Sequence, residues 1–358
     1  MRVACVSQDP GVGPGRRKGA AVHLAAMRGA FRARGVEVHE LDVPDDTALK
    51  RRLAELLDGA PPDLVYERHA LGRTAACRFA LRHGIPHVLE VNAPLVEEEE
   101  RWRGPVGEAA RRAEAWLFGH APHVFAVSSA VADYALAQGA DPASVAVRTN
   151  RVDAGLFRPP RPADPQRRYL GAEERLVLGF HGRLRPWHGL ERVAEAAGRA
   201  LARGIDVHLL LVGEGDFEAA AGDRLPADRL TVLDWRPPEE LAAWVAACDV
   251  LPLGYGPDSP CYFAPLKLAE AMAAGVVPVV PALGDLPELV PHGVRGLVYP
   301  AGDVDALAEH LEELGRSPEL RARLGRAARR AAEELSWDSL AAEVLELARA
   351  GRPRRAAR

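Results

Sequence analysis

Cysteine is scarce and scattered in this chain. Cys5, Cys77, Cys248 and Cys261 form no CxxC pair and stand near no histidine ligand pattern. A disulfide framework and a structural zinc are therefore both unexpected. Neither sign of charge dominates: 46 lysines and arginines face 50 aspartates and glutamates, a net of −4, which gives no support for a nucleic-acid partner. Basic character is local, with Arg352, Arg354, Arg355 and Arg358 crowding a C-terminal tail expected to be solvated and able at most to touch anionic lipid headgroups. No apolar run approaches the ~18 residues of a membrane span. No signal-peptide pattern precedes the first apolar run, which begins at Val3. These absences lead us to expect a cytoplasmic protein, at most peripheral to the inner face of a membrane.

What is present is length and rhythm. At 358 residues the chain exceeds one ordinary core and suits two domains. Short apolar runs (Val3–Ser7, Glu37–Asp42, Leu64–Tyr66, His87–Val91, Val124–Val127) alternate with helical stretches such as Ala20–Arg34 and Thr74–His83. That alternation predicts an α/β fold with a parallel sheet covered on both faces. Pro159, Pro160, Pro162 and Pro165 interrupt it within Phe157–Gln166, where regular structure is disfavoured. The rhythm restarts with Val177–Phe180, Val207–Val212, Leu230–Val232, Val250–Leu253, Val276–Val280 and Gly296–Val298. We expect two doubly wound domains, residues 1–157 and 158–335, joined by a linker near residue 160. A C-terminal helix over 336–350 would be capped by Ser336 and pack back across the domains, ahead of a basic tail, 351–358. Ligands of such sheets bind beyond the C-terminal strand ends, so two facing domains would bring those ends around one cleft.

The segment Tyr262–Pro281, YFAPLKLAEAMAAGVVPVVP, is the most informative. It reads as a helix opened by Pro265 and closed by Gly275, then a buried strand. Lys267 and Glu270 share one helix face near its start. A helix N-terminus with a lysine suits an anion, and a carboxylate one turn deeper suits two ribose hydroxyls. Together they would hold a nucleoside diphosphate. An ordinary first-turn charge pattern reads equally well on this segment alone.

Motifs in a fixed order carry a resemblance. They are KGAAVHL at Lys18–Leu24, VYERHALG at Val65–Gly72, LEVNAPL at Leu89–Leu95, VSSAVADY at Val127–Tyr134, NRVD at Asn150–Asp153, HGRLRPWHG at His181–Gly189, LVGEG at Leu211–Gly215 and APLKLAEAMAAG at Ala264–Gly275. Over about residues 1–345 the chain resembles glycosyltransferase family 4, retaining enzymes of the GT-B fold with two Rossmann-like domains. The resemblance implies a sugar-nucleotide donor held mostly by the C-terminal domain and a hydroxyl acceptor held mostly by the N-terminal domain. It implies a metal-independent hexosyl transfer with no cofactor beyond the donor and no nucleic-acid partner.

Carried over residue by residue, the resemblance makes Arg183, Lys267 and Glu270 the catalytic candidates. Departure of the leaving group builds charge on the diphosphate, which cations and N–H dipoles must offset. Arg183 is expected in a tight glycine-containing turn after the strand Val177–Phe180. His188 stands where the family usually has a lysine and is expected to be charged only part of the time near neutral pH. The donor-binding set comprises Gly19, Arg183, His188, Tyr262, Phe263, Ala264, Leu266, Lys267 and Glu270. Glu270 matches the second acid of the family's Glu-x7-Glu pattern. The first falls on Tyr262, which either bonds the sugar through its phenol or merely packs. Gly19 would let a phosphate or sugar approach the first helix, with Lys18 beside it. Glu67, Arg68, Glu90 and Asn92 form the acceptor-side set, with a buried salt bridge between neighbours Glu67 and Arg68 as the structural alternative.

Other features read as structural. Gly11, Gly13 and Gly15 have the wrong spacing for a dinucleotide loop, and Pro14 is awkward there, although Glu40 and Asp42 end the second strand where a ribose-binding acid would sit. We read that loop as a flexible lip. Ser128 and Ser129 are modest candidates for polar contacts, while Asn150 and Asp153 are expected to shape a turn. The acidic run Glu97–Glu100 before Trp102 reads as a solvated helix start rather than a membrane-facing one. A nucleotide-sugar epimerase of the same architecture and a non-catalytic sugar-nucleotide binding protein stay open as alternatives.

Overall fold

The computed structural model describes residues 1–9, 19–159, 165–260, 262 and 264–350. Lys18, the Gly11–Gly15 loop, Cys261, Phe263, most of the proline-rich stretch and the C-terminal arginines lie outside the described residues. The first sheet contains β1 (Arg2–Ser7), β2 (Glu37–Asp42), β3 (Leu64–Arg68), β4 (His87–Val91), β5 (Val124–Ala126) and β6 (Val145–Val147), in the order β2-β1-β3-β4-β5-β6. The second contains β7 (Leu176–Arg183), β8 (Val207–Glu214), β9 (Leu230–Asp234), β10 (Val250–Pro252), β11 (Val277–Pro281) and β12 (Leu297–Tyr299), in the order β12-β11-β10-β7-β8-β9. Every pairing in both sheets is parallel. The central strands are rich in apolar residues, as burial on both faces requires: Val3 to Val6 of β1 and Val177 and Leu178 of β7 are fully enclosed. Each such valine or leucine contributes roughly 1.5–3 kcal/mol of burial.

The strand order reverses between β1 and β3 in the first sheet and between β7 and β10 in the second. These are the switch points at which an open parallel sheet takes its ligand. Arg68 ends β3 beside Ser7 of β1, and Arg183 ends β7. The helix Leu266–Ala273 follows β10. Topology thus selects the same regions that the motifs select.

The chain divides into two compact units that differ from the expected boundaries. The first comprises Met1–Asn150, Tyr262–Ala264 and the C-terminal helix Trp337–Ala350; the second comprises Arg151–Cys261 and Pro265–Ser336. The division falls at residue 150 instead of 157 because Val152 and Phe157 belong to the second core. Val152 N–H donates to Leu335 O at 2.9 Å, and Arg329 donates to the Phe157 carbonyl at 2.7 Å. Trp337–Ala350 is tied to the first unit by Arg34 to Asp338 (2.7 Å) and Arg148 to Glu343 (2.8 Å). Strand β6 was not expected: its apolar run is only three residues long, and it lies half-buried or exposed at the sheet edge. No helix among the described residues is long and apolar enough to cross a membrane.

Candidate functional site

In the second unit the helix Leu266–Ala273 begins one residue later than expected. Pro265 is its cap, in an extended conformation (ψ 119°), and its missing N–H costs nothing there. Gly275 (φ +77°) turns the chain out of the helix toward β11. Leu266 is the first helical residue, Lys267 lies in the first turn and Glu270 one turn deeper. Lys267 carries its Nζ 3.9 Å from the centroid of the Phe180 ring on β7. That ammonium is sealed from solvent and has no hydrogen-bond partner among the described residues. Burial pushes it down to about 7, against the opposing charge of Glu270. An unpaired desolvated cation beside an aromatic face is a strong local attractor for an anion.

Glu270 is held by a residue absent from the expected set. His181, at the end of β7, donates from Nε2 to Glu270 Oε2 at 2.7 Å, with both side chains largely buried. The bond leaves Oε1 and one further lone pair of the carboxylate available. The signal for His181 was the parallel register that brings the end of β7 beside the helix after β10, which local pattern alone does not show.

His188 departs from expectation. Its Nδ1 accepts the Arg185 backbone N–H at 3.1 Å, so that nitrogen carries no proton. Burial, then the neighbouring charges of Lys267 and Arg185, hold it far below the ordinary imidazole range. It is therefore neutral, offering an Nε2–H dipole instead of a part-time cation. Its ring packs edge-on to Phe180 at 5.3 Å and tilted against Tyr255 at 6.0 Å. The backbone beyond it is crowded: a Cβ on Gly189 (φ +60°) would lie 1.8 Å from Gly254 O, and one on Gly254 would lie 2.1 Å from Gly189 O. Arg183 is the last residue of an extended β7 rather than a turn residue, because β7 pairs with β8 through Arg183 and Glu214. It is exposed and loosely paired with Glu214 (3.7 Å), an interaction worth about 0–1 kcal/mol that an incoming phosphate can replace.

The first unit carries a saturated carboxylate. Glu90 on β4 receives His23 Nε2 at 2.8 Å, Arg68 at 3.0 Å, the Tyr66 hydroxyl and the Asn92 amide. All its acceptor positions are thereby used, so Glu90 organises the cluster instead of contacting a ligand. Burial alone would raise its carboxyl, but His23, Arg68 and Tyr66 outweigh burial and hold it well below the ordinary range. Glu67 and Arg68 do not pair with each other, since adjacent strand residues face opposite sides. Glu67 bonds His87 at 2.8 Å; Arg68 turns to Glu90 and to Asp9 (3.6 Å). Glu40 and Asp42 are committed to Arg28. Gly19 opens the first helix, Gly19–Ala33.

Tyr262 and Ala264 are part of this same unit. The Tyr262 hydroxyl donates to Glu98 on the helix Leu95–Trp102, and its carbonyl accepts from Ser128 Oγ at 2.8 Å. The Asn150 amide donates to the Ala264 carbonyl. Asn150 thus does more than shape a turn, and the polar contact of Ser128 is made to the Tyr262 backbone. Deeper in the unit Glu114 and His69 approach to 3.6 Å. Burial raises Glu114 to about 7 despite a bond from the Tyr134 hydroxyl, and burial lowers His69 to about 3.

Two family models match the chain. The glycosyl transferase 4-like domain covers residues 1–151, and glycosyl transferases group 1 covers residues 175–317. Among curated proteins the chain is similar to D-inositol 3-phosphate glycosyltransferase of Kribbella flavida, at 31% identity over 58% of this chain and 51% of that protein. It is also similar to alpha-maltose-1-phosphate synthase of Mycolicibacterium smegmatis, at 28% identity over 98% of this chain and 99% of that protein. The chain therefore spans about half the length of the first relative and nearly all of the second. Among solved structures, Anabaena HepE in complex with UDP and glucose superposes with a TM-score of 0.74 at 20% identity, over 98% of this chain and 100% of that one. That likeness establishes the GT-B fold.

Proposed function

As the chain belongs to glycosyltransferase family 4, we propose that it transfers a sugar from a nucleoside diphosphate to an acceptor hydroxyl with retention of configuration. The observation that carries this reading is the buried Lys267 ammonium, without a hydrogen-bond partner among the described residues, one turn before Glu270. A nucleoside diphosphate supplies what each group needs. Its phosphates restore the charge of Lys267 and replace Glu214 at Arg183, and its ribose hydroxyls donate to the free oxygen of Glu270. The curated relatives are named as glycosyltransferases or sugar-phosphate synthases, and the HepE structure contains UDP, which supports the donor class.

Catalysis then rests on differential stabilisation. Negative charge grows on the diphosphate as the sugar–oxygen bond breaks, and Lys267, Arg183 and the His188 N–H stabilise that charge more than they stabilise the ground state. The departing phosphate oxygen takes the proton of the acceptor hydroxyl on the same face of the sugar, so the new bond forms where the old one broke. His181 keeps Glu270 aimed at the ribose. Arg68 and Asn92, ordered by Glu90, serve the acceptor.

Thermal-shift screening against UDP, GDP, ADP and TDP tests the donor class. A ligand at ~100 times its Kd adds about 2.7 kcal/mol, and one of the four should raise the melting midpoint in wild type and not in Lys267→Met. Incubating donor without acceptor separates transfer from epimerisation: accumulation of an isomeric sugar nucleotide would reject transfer.

A further inference from the structure

Glu90 and the Ala264 carbonyl are joined through two side chains. His23 Nε2 faces Glu90 Oε2 at 2.8 Å, and His23 Nδ1 faces Asn150 Oδ1 at 2.9 Å. The Asn150 amide nitrogen faces the Ala264 carbonyl. Proton inventory fixes every role in this chain of bonds. A backbone carbonyl only accepts, so Asn150 must present Nδ2 to Ala264 and therefore Oδ1 to His23. Oδ1 only accepts, so His23 Nδ1 carries a hydrogen. Glu90, ionised and surrounded by donors, only accepts as well, so His23 Nε2 also carries a hydrogen. Both ring nitrogens are donors, and the ring is an imidazolium. Its surroundings agree. Glu90 supplies the counter-charge, Arg68 is shared between Glu90 and Asp9, and the edge-on Trp337 ring lies 4.5 Å away, all within the first unit.

We propose that His23 is a positioning residue of the donor site: as an imidazolium held by Glu90 it orients Asn150, and through Asn150 it fixes the Ala264 carbonyl from which the chain enters the helix of Lys267 and Glu270. The role in donor binding rests on the sugar-nucleotide reading above. Ala264 precedes the helix cap Pro265 directly. Anchoring the last peptide before the cap leaves fewer conformations to the segment that leads into that helix, which lowers the ordering cost of binding. Tyr262, bonded to Glu98 and Ser128, anchors the same segment two residues earlier.

The full-length protein labelled with 15N-histidine gives a direct reading, with the His23 signal assigned by its loss in His23→Gln. At pH 7 the account expects both ring nitrogens of His23 to be protonated; a singly protonated ring overturns it without recourse to any variant. Asn150→Asp keeps the acceptor for His23 and removes the donor to Ala264. Its affinity for whichever of UDP, GDP, ADP or TDP binds wild type is expected to fall about tenfold, the loss of roughly 1.4 kcal/mol, with His23 still doubly protonated. Wild-type affinity in a folded Asn150→Asp overturns the positioning role. Should that variant not fold, His23→Gln is expected to show the same tenfold loss, and wild-type affinity there is equally fatal. If wild type binds none of the four diphosphates, the sugar-nucleotide reading fails and the donor-site role with it, whereas the imidazolium still stands or falls on the spectrum.

Discussion

His181 Nε2 lies 2.7 Å from Glu270 Oε2, so the end of one central strand orients the acid on the helix that follows its neighbour. The two residues are 89 positions apart, and only the β7–β10 pairing brings their elements together. Glu270→Ala is expected to abolish transfer while leaving the melting midpoint near wild type. His181→Ala frees the carboxylate without removing it. Steady-state kinetics should then show the donor KM rising by about tenfold, equivalent to the ~1.5 kcal/mol of one charge-assisted hydrogen bond, with a smaller change in kcat.

On the proposed reading, nucleotide binding at Lys267 is proton-linked. Free protein holds the ammonium near 7, and a bound diphosphate restores its charge. Above pH 7 binding therefore takes up a proton, and affinity falls by about tenfold per pH unit until the complex itself titrates. Below pH 7 this group adds no further pH dependence. Calorimetry of the bound nucleoside diphosphate at pH 8 in buffers of different ionisation enthalpy reads the uptake directly.

The same group costs stability in the unliganded protein. A lysine whose folded value is depressed binds fewer protons folded than unfolded between about 7 and its ordinary range, so the fold gains stability as pH rises through that window. Lys267→Met is expected to raise stability by ~1–3 kcal/mol at pH 7, with the gain fading toward pH 10, and to eliminate transfer. Urea denaturation at the two pH values checks the sign.

Glu114 behaves oppositely. Its folded value is raised to about 7 by burial, so the folded state holds a proton that the unfolded state releases near 4.5, and stability falls as pH rises between those values. Glu114→Gln is expected to match wild type at pH 4 and to exceed it by about 2–3 kcal/mol at pH 8. A pH-independent difference would contradict the assignment.

Much of this was legible in the sequence. The strands at Glu37–Asp42 and His87–Val91 stand where their apolar patterning placed them, and the switch-point helix was marked by Pro265, Lys267, Glu270 and Gly275. What local pattern could not reveal depends on pairing across the chain. The edge strand Val145–Val147 is only three residues long and pairs on one side alone. His181, His23 and Asn150 matter through partners 89, 67 and 114 residues away. The charge of His188 follows from one backbone N–H and its burial, neither of which motif spacing encodes. Glu90 looked like an acceptor contact because its position was right; its neighbours had already taken every lone pair.

The backbone crossing at Gly189 and Gly254 gives a prediction independent of chemistry. Gly254→Ala would push a methyl against Gly189 O at 2.1 Å, which no side chain can relieve. A loss of at least ~2 kcal/mol is expected, together with weakened nucleotide binding because His188 adjoins the displaced turn. Unchanged melting would show that the turn has room the structure does not give it.

The central claim is retaining transfer from a nucleoside diphosphate sugar through Lys267, Arg183 and Glu270. Proton NMR of the reaction, with the donor whose nucleotide stabilises the protein and a set of hydroxyl acceptors, follows the anomeric centre as it moves. The account predicts a product with the donor's own anomeric configuration, formed by wild type and lost in Glu270→Ala. An inverted product, or wild-type turnover in Glu270→Ala, would contradict it.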